Sequence, residues 1–481
     1  MFKPYKTLLF LLTVGVLCAS LALVFPKQGI LLGDYNLRFP ELDKVFALED
    51  SANAKAISVE NLLAIYDAED SLKAAKGFDK TQQQKDAASA LLASLNIQYA
   101  IGEKHPLHNF FAGLEGLKTP GTSLRVLHYG DSQIEGDRIT SYLRNTLQNK
   151  FGGSGPGMLP AIEVVPSIAI QQSASDNWKR YALFGGEANN LPHSNFGALA
   201  CIARFETSEA NKTAWLKFIP SKAGFAAVRK YTKAVLHLGN VATACGVEFA
   251  VNGEVVSNET VEAGTGYKKI VKYFSATPAD LTITFSSDTS PDVYGVSLES
   301  NDGIMVDNIA MRGGSGTVFR KMEKQHLDAA YRNQNIGLIV LQYGGNTVPY
   351  ITDSAHALQY GKFIASQIRY LKSIQPQASF LVIGPADMST SIDGEMQTYP
   401  NLVYVRDALK QTALKNGCAF WDMYEVMGGK NAMLNWVAAD PPLAAPDYIH
   451  FSPAGAKTVA ELFTKHLLSE FNDWKKTVAA P

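Results

Sequence analysis

The sequence predicts an α/β protein. A parallel sheet is covered on both faces by helices, interrupted by an inserted all-β domain, and preceded by a membrane helix. Three observations carry this. Short apolar runs alternate with helical patterns over 124–151 and again over 303–475, as in a parallel sheet. Between them about 150 residues, Phe151 to Asn301, hold only short β-like runs. At the start, Lys3 and Lys6 precede an almost unbroken apolar run from Leu8 to Phe25.

Residues 1–26 form the first unit. The apolar run is at the lower limit for crossing a bilayer as a helix. Apart from Ser20-Leu21-Ala22 no small-x-small cleavage site is present, and Cys18 follows Leu17 where a lipoprotein signal carries a small residue. This reads as a signal-anchor with its positive end in the cytoplasm; a cleaved signal peptide is the alternative. Either places the body of the chain in the periplasm or outside the cell. Residues 27–100 read as a spacer. "LRFPELDKVF" is extended, and Leu62, Leu63, Ile65, then Ala88, Leu91, Leu92, Leu95, fall at helical spacing.

Residues 101–152 and 302–481 form the sheet-bearing domain. "LRVLHYG" reads as a buried strand, and Ile139, Leu143 and Leu147 as one face of the next helix. Later strands are "GIMVDNIAM" (303–311), "IGLIVLQYGG" (336–345), "SFLVIG" (379–384) and "CAFWDM" (418–423), with helices at 355–374, 401–415 and 454–475. The insertion, 153–301, carries "AWLKFI", "GVEFAVNGEVV", "YKKIVKYF" and "LTITFSS", with Asn252-Gly253 as a turn signal. These predict a β-sandwich or jelly roll. "FGGSGPG" (151–157) lacks the Gly-Lys-Ser/Thr of a phosphate loop and reads as a mobile entry into the insertion.

Composition narrows the function. The chain has 481 residues and a formal net charge of -1, with no basic excess to neutralise phosphates, so nucleic acid is not expected as a partner. Four cysteines, none in CxxC spacing, suggest no cysteine-built zinc site; no metal or other cofactor is called for. Cys201 and Cys245, both in the insertion, read either as a disulfide or as two buried thiols.

Four short stretches fall at strand ends or before the last helix: Gly130-Asp131-Ser132, Arg312-Gly313-Gly314, Gly344-Gly345-Asn346 and Asp447-Tyr448-Ile449-His450. Singly each has a plain structural reading: Ser132 as a helix cap, Gly313 as a turn residue, His450 as a packed core histidine. Together they supply what acyl transfer needs. A serine nucleophile requires a base beside it. A histidine serves if a carboxylate fixes its tautomer, and Asp447 lies three residues from His450. The negative charge of a tetrahedral intermediate requires preorganised donors. Asp440 is a more distant rival to Asp447, His128 reads as a packed strand histidine, and Asp131 shapes the loop.

The set "GDSQ", "MRGG", "GGN" and "DYIH", in that order, resembles the SGNH (GDSL-type) hydrolase superfamily. The resemblance implies a flavodoxin-like three-layer fold and an ester hydrolase with Ser132 as nucleophile, His450 as base and Asp447 as its partner. It further implies an oxyanion hole from the Ser132 amide, the Gly313 amide, with Gly314 as competitor, and the Asn346 side chain. The β-insertion after the serine segment is similar to the arrangement in peptidoglycan O-acetylesterases and polysaccharide O-acetyltransferases. There the added domain is a carbohydrate-binding module. The implied substrate is an acylated polysaccharide or peptidoglycan, and the implied function is removal of O-acetyl groups. Transfer to a glycan hydroxyl, with a membrane-bound acyltransferase as partner, and a non-catalytic glycan-binding scaffold are the alternatives. Aromatics of the insertion able to stack on sugars are Trp178, Tyr181, Phe184, Trp215, Phe225, Tyr231, Tyr267 and Tyr294; most of them read as core residues, and Trp178 and Phe225, in turn-like contexts, are the best placed for exposure.

Overall fold

The computed structural model describes residues 95–100, Gly102, 104–185 and 191–479, with scattered positions and one strand pair before residue 38. The chain divides into two units, 1–55 and 56–481. In the first, Ile30–Leu32 pairs antiparallel with Tyr35–Leu37. The membrane helix expected within 1–26 and the spacer helices expected within 27–100 lie almost wholly outside the described residues. No helix of the described residues is long and apolar enough to cross a membrane.

The second unit is built on five parallel strands: β1 (Ser123–Gly130), β2 (Gly303–Ala310), β3 (Ile336–Gln342), β4 (Ser379–Ile383) and β5 (Ala419–Trp421). Their order across the sheet is β2-β1-β3-β4-β5, and every pair is parallel. The near-continuous apolar runs follow from this, because both faces are covered. On one face, Val126, Val306, Val340 and Leu381 pack under α1 (His108–Gly116), α2 (Thr140–Phe151) and the last helix, Pro453–Ala479. On the other, Leu127, Ile309, Ile339 and Phe380 pack under α3 (Lys324–Tyr331), α4 (Ser354–Ile374) and α5 (Leu402–Lys415). Alternate residues of one strand thus serve opposite helix layers.

Between β1 and β2 the chain forms two antiparallel sheets. One has the order 254–261, 245–251, 281–286, 213–220, 170–174; the other 268–273, 233–239, 292–299, 201–205, 178–182. Leu216, Phe218, Leu236, Leu238, Phe249 and Phe285 fill the space between them. The central strands of the second sheet are buried on both sides, because part of its outer face lies on the α/β layer: Cys201, Ile202 and Tyr294 share a core with Leu127 and Ile309. Cys201 and Cys245 therefore do not form a disulfide; they are buried thiols in opposite sheets.

The insertion leaves and returns through a tight backbone crossing. A Cβ on Gly303 would lie 2.2 Å from the Gly153 nitrogen, and one on Gly155 would lie 2.3 Å from the Leu298 oxygen. All three glycines have positive φ, where a side chain is strained. "FGGSGPG" is thus a packed joint, which corrects the expectation of a mobile entry.

Candidate active site

At Gly130 the first strand ends, and a Cβ there would meet Ile134 Cδ1 at 2.9 Å and the Gln342 carbonyl at 3.3 Å. The chain then turns sharply through a 3-10 segment, Ser132–Asp137. Asp131, not Ser132, caps it: Asp131 Oδ1 accepts the Gln133 amide at 3.0 Å. The capping explanation for Ser132 is therefore taken by its neighbour, and the serine hydroxyl is left for another partner.

That partner is His450, whose Nε2 lies 2.9 Å from Ser132 Oγ. His450 Nδ1 is 2.7 Å from Asp447 Oδ2. Asp447 Oδ1 accepts the backbone amides of Ile449 and His450 at 2.9 and 3.0 Å. Burial pushes the Asp447 carboxyl up, but the hydrogen bonds from the His450 backbone and ring, and from the Ile449 amide, outweigh it and hold the group below its ordinary range. A charged Asp447 suits an imidazole that keeps its Nδ1 proton and presents a bare Nε2 to the serine. The Nδ1 partner is Asp447; Asp440 plays no part in it.

Asn346 follows β3 and lines the same cleft as Ser132 and His450. Its Nδ2 donates to Asp131 Oδ2 at 3.3 Å and to the Gly314 carbonyl at 3.2 Å. Both bonds are long, so a charged acceptor can compete for the amide. The Gly314 amide is committed to Met311 O at 2.7 Å, whereas the amides of Ser132 and Gly313 have no acceptor among the described residues. Geometry therefore separates the two adjacent glycines in favour of Gly313. His128 is fully buried, with Nε2 2.9 Å from Gln342 Oε1, and burial pulls it down to about 4.

Three residues that hold the site together carry no role in the sequence reading. Gln133 donates from Nε2 to the Ile449 carbonyl at 2.6 Å and accepts the Phe451 amide, so the turn after the serine grips the histidine loop. Arg138 donates to the carbonyls of Ser132, Glu135 and Phe451. Arg312 makes a bidentate pair with Glu135, both bonds 2.7 Å, joining the serine turn to the Gly313 loop. Gln133 and Arg312 lie inside the blocks "GDSQ" and "MRGG", but neither block says what the side chain does; Arg138 looks like any helix cation until the fold brings it in.

Among the insertion's aromatics, Tyr231 and Tyr294 are buried. Trp178, expected to be exposed, is half-buried: its ring packs edge-on against Phe205 and Phe285, and Nε1 donates to the Trp215 carbonyl. Trp215 and Phe225 are partly exposed, and Tyr273, absent from the expected set, is 67% exposed.

No protein-family model matches this sequence, and no curated protein matches it. A solved peptidoglycan O-acetylesterase aligns with a TM-score of 0.60 over 76% of this chain and 96% of that chain, at 21% identity. The two share one fold. At that identity the likeness is one of fold. An acetyl xylan esterase, AlAXEase (TM-score 0.26, 18% identity, 34% of this chain and 80% of that one), is also similar. So is a family two carbohydrate esterase from Clostridium thermocellum (TM-score 0.24, 11% identity, 61% and 99%). Scores this low add nothing to the fold statement.

Proposed function

We propose that the chain is a serine esterase of the SGNH type that removes O-acetyl groups from a cell-envelope polysaccharide or peptidoglycan. The observation that carries this reading is the unbroken chain Ser132 Oγ, His450 Nε2, His450 Nδ1, Asp447 Oδ2, with links of 2.9 and 2.7 Å, opening into a cleft.

The chemistry follows from those positions. Ser132 Oγ attacks the ester carbonyl while His450 Nε2 takes its proton, and Asp447 stabilises the imidazolium. The oxygen of the tetrahedral intermediate meets the amides of Ser132 and Gly313 and the Asn346 side chain. Collapse breaks the ester C–O bond, and His450 returns the proton to the departing sugar oxygen. Water, activated by the same histidine, then attacks the acyl-serine, releasing acetate and restoring Ser132. The apolar run at 8–25 supports export and anchoring at the membrane, which would hold the site against an envelope polymer. The β-insertion would serve as its glycan-binding module.

The test is incubation of the protein with O-acetylated peptidoglycan and, separately, with p-nitrophenyl acetate, each with and without an oligosaccharide acceptor. Release of free acetate in both cases supports the esterase. Acetylated acceptor as the main product would make the chain a transferase, and no product from either substrate would leave a glycan-binding scaffold.

A further inference from the structure

A second cavity, of about 390 Å³, opens at the opposite end of the parallel sheet from Ser132, where β1 begins at Ser123 to Arg125 and where Asn333 and Gln334 lead into β3. Its size is that of a small-ligand site. The eight residues of β1 run from this cavity towards the serine turn, a separation of roughly 25 Å at ~3.3 Å per residue. One wall is the outer face of the insertion's second sheet. There strands 233–239 and 268–273 set Lys233 opposite Tyr273, Val235 opposite Val271 and His237 opposite Lys269. Ala234, Leu236 and Leu238 point into the sandwich core, so strand alternation aims these six the other way.

The charge of the cavity is one-sided. Arg125, Lys233, Lys269 and Arg332 line it, against one carboxylate, Glu299. Glu299 is already engaged by Lys233 and Arg125, Arg125 is also held by Asp307, and Arg332 pairs with Asp328. Lys269 has no carboxylate partner among the described residues; its Nζ donates to the carbonyls of Ala330 and Arg332 at 3.1 and 2.9 Å. Burial, with Arg125 nearby, pulls Lys269 down to about 8 against the opposing pull of Glu299, as expected of a desolvated cation among like charges. His237 is 2% exposed; Nδ1 bonds the Tyr267 hydroxyl at 3.0 Å, and Nε2 has no partner among the described residues. A buried polar atom left unpaired is costly and calls for an explanation. Val271 and Tyr273 offer exposed apolar surface beside these groups.

We propose that this cavity binds an acidic sugar unit, its carboxylate held by Lys269 and the His237 Nε2 and its ring laid on Val271 and Tyr273. The chain then grips the polymer at a point remote from the reacting ester. The choice of an envelope sugar rests on the esterase reading; the anion site itself does not.

The experiment is calorimetric titration of the full-length protein with N-acetylmuramic acid, which carries a carboxylate, beside neutral N-acetylglucosamine and inorganic phosphate. The acid sugar binds, the neutral sugar does not, and phosphate binds more weakly. Tyr273→Ala and Lys269→Gln each weaken the acid sugar by about fivefold or more, a change of about 1 kcal/mol. Tyr273→Ala also raises KM on acetylated polymer while p-nitrophenyl acetate turnover stays unchanged. Equal binding of the neutral sugar, no binding of the acid sugar, or unaltered affinity in Tyr273→Ala overturns the proposal. Phosphate binding as tightly as the acid sugar overturns the saccharide assignment. If the acid sugar binds as described but neither ester is turned over, the esterase reading alone fails.

Discussion

Asp131 and Asn346 show how much of this site is set by single side chains. In the proposed chemistry Asn346 is one of three oxyanion donors, and removing one such donor costs about 10²–10³ in kcat. Asn346→Ala is expected to lower kcat on p-nitrophenyl acetate by roughly a hundredfold with little change in KM; a change confined to KM would make Asn346 a binding residue. Asp131 is buried, and that burial pushes its carboxyl up to about 6 against the hydrogen bond from the Gln133 amide. Because the folded value lies above the unfolded one, its contribution to stability is present below about 4 and is lost as pH rises through 6. Asp131→Asn lacks this term. Its unfolding free energy relative to the natural protein should therefore rise between pH 4 and 7, by roughly 2–3 kcal/mol at ~1.4 kcal/mol per unit. Denaturant unfolding at several pH values measures it, and a flat difference would contradict the assignment. The residue types of the triad were legible in the sequence because their spacing repeats a motif. The ambiguity between Gly313 and Gly314 was not, because it turns on which amide a local turn consumes, and Met311 decides that.

The elements are held to one another by joints that sequence periodicity does not reveal. Alternating apolar runs located all five parallel strands, since a strand buried on both faces is apolar along most of its length. The small helices Met423–Met427 and Ala432–Ala438 had no such signal; they are too short to show a helical period. "FGGSGPG" was misread because glycine serves mobility and close approach alike, and only the crossing with Gly303 shows which applies. Gly303→Ala sets a methyl group against the Gly153 backbone at positive φ. It should cost about 3 kcal/mol or more, seen as a lowered Tm. A variant as stable as the natural protein would mean that the crossing relaxes freely. The Arg312–Glu135 pair joins two other elements, the serine turn and the Gly313 loop. Arg312→Ala leaves the buried Glu135 carboxylate unpaired, at about 1–3 kcal/mol, and should lower kcat more than it raises KM. Arg312→Lys, which keeps the charge but loses the fork, should recover stability better than rate.

At the scale of the whole molecule, the parallel sheet places the serine cleft at the carboxyl ends of its strands, where such folds set their ligands. The insertion is closed onto the same unit by sharing a core with it. That shared core could not be read from the sequence: strands 233–239 and 292–299 look like ordinary sandwich strands, and their second buried face appears only when the α/β layer is present. The proposed chemistry depends on Ser132 acting as the nucleophile. The most direct measurement is turnover of p-nitrophenyl acetate by Ser132→Ala beside the natural protein, with thermal unfolding of both. The hydroxyl caps no helix, so Tm should change little, while activity should fall by on the order of a thousandfold or more. A Ser132→Ala protein that folds normally and keeps most of its activity would contradict the account.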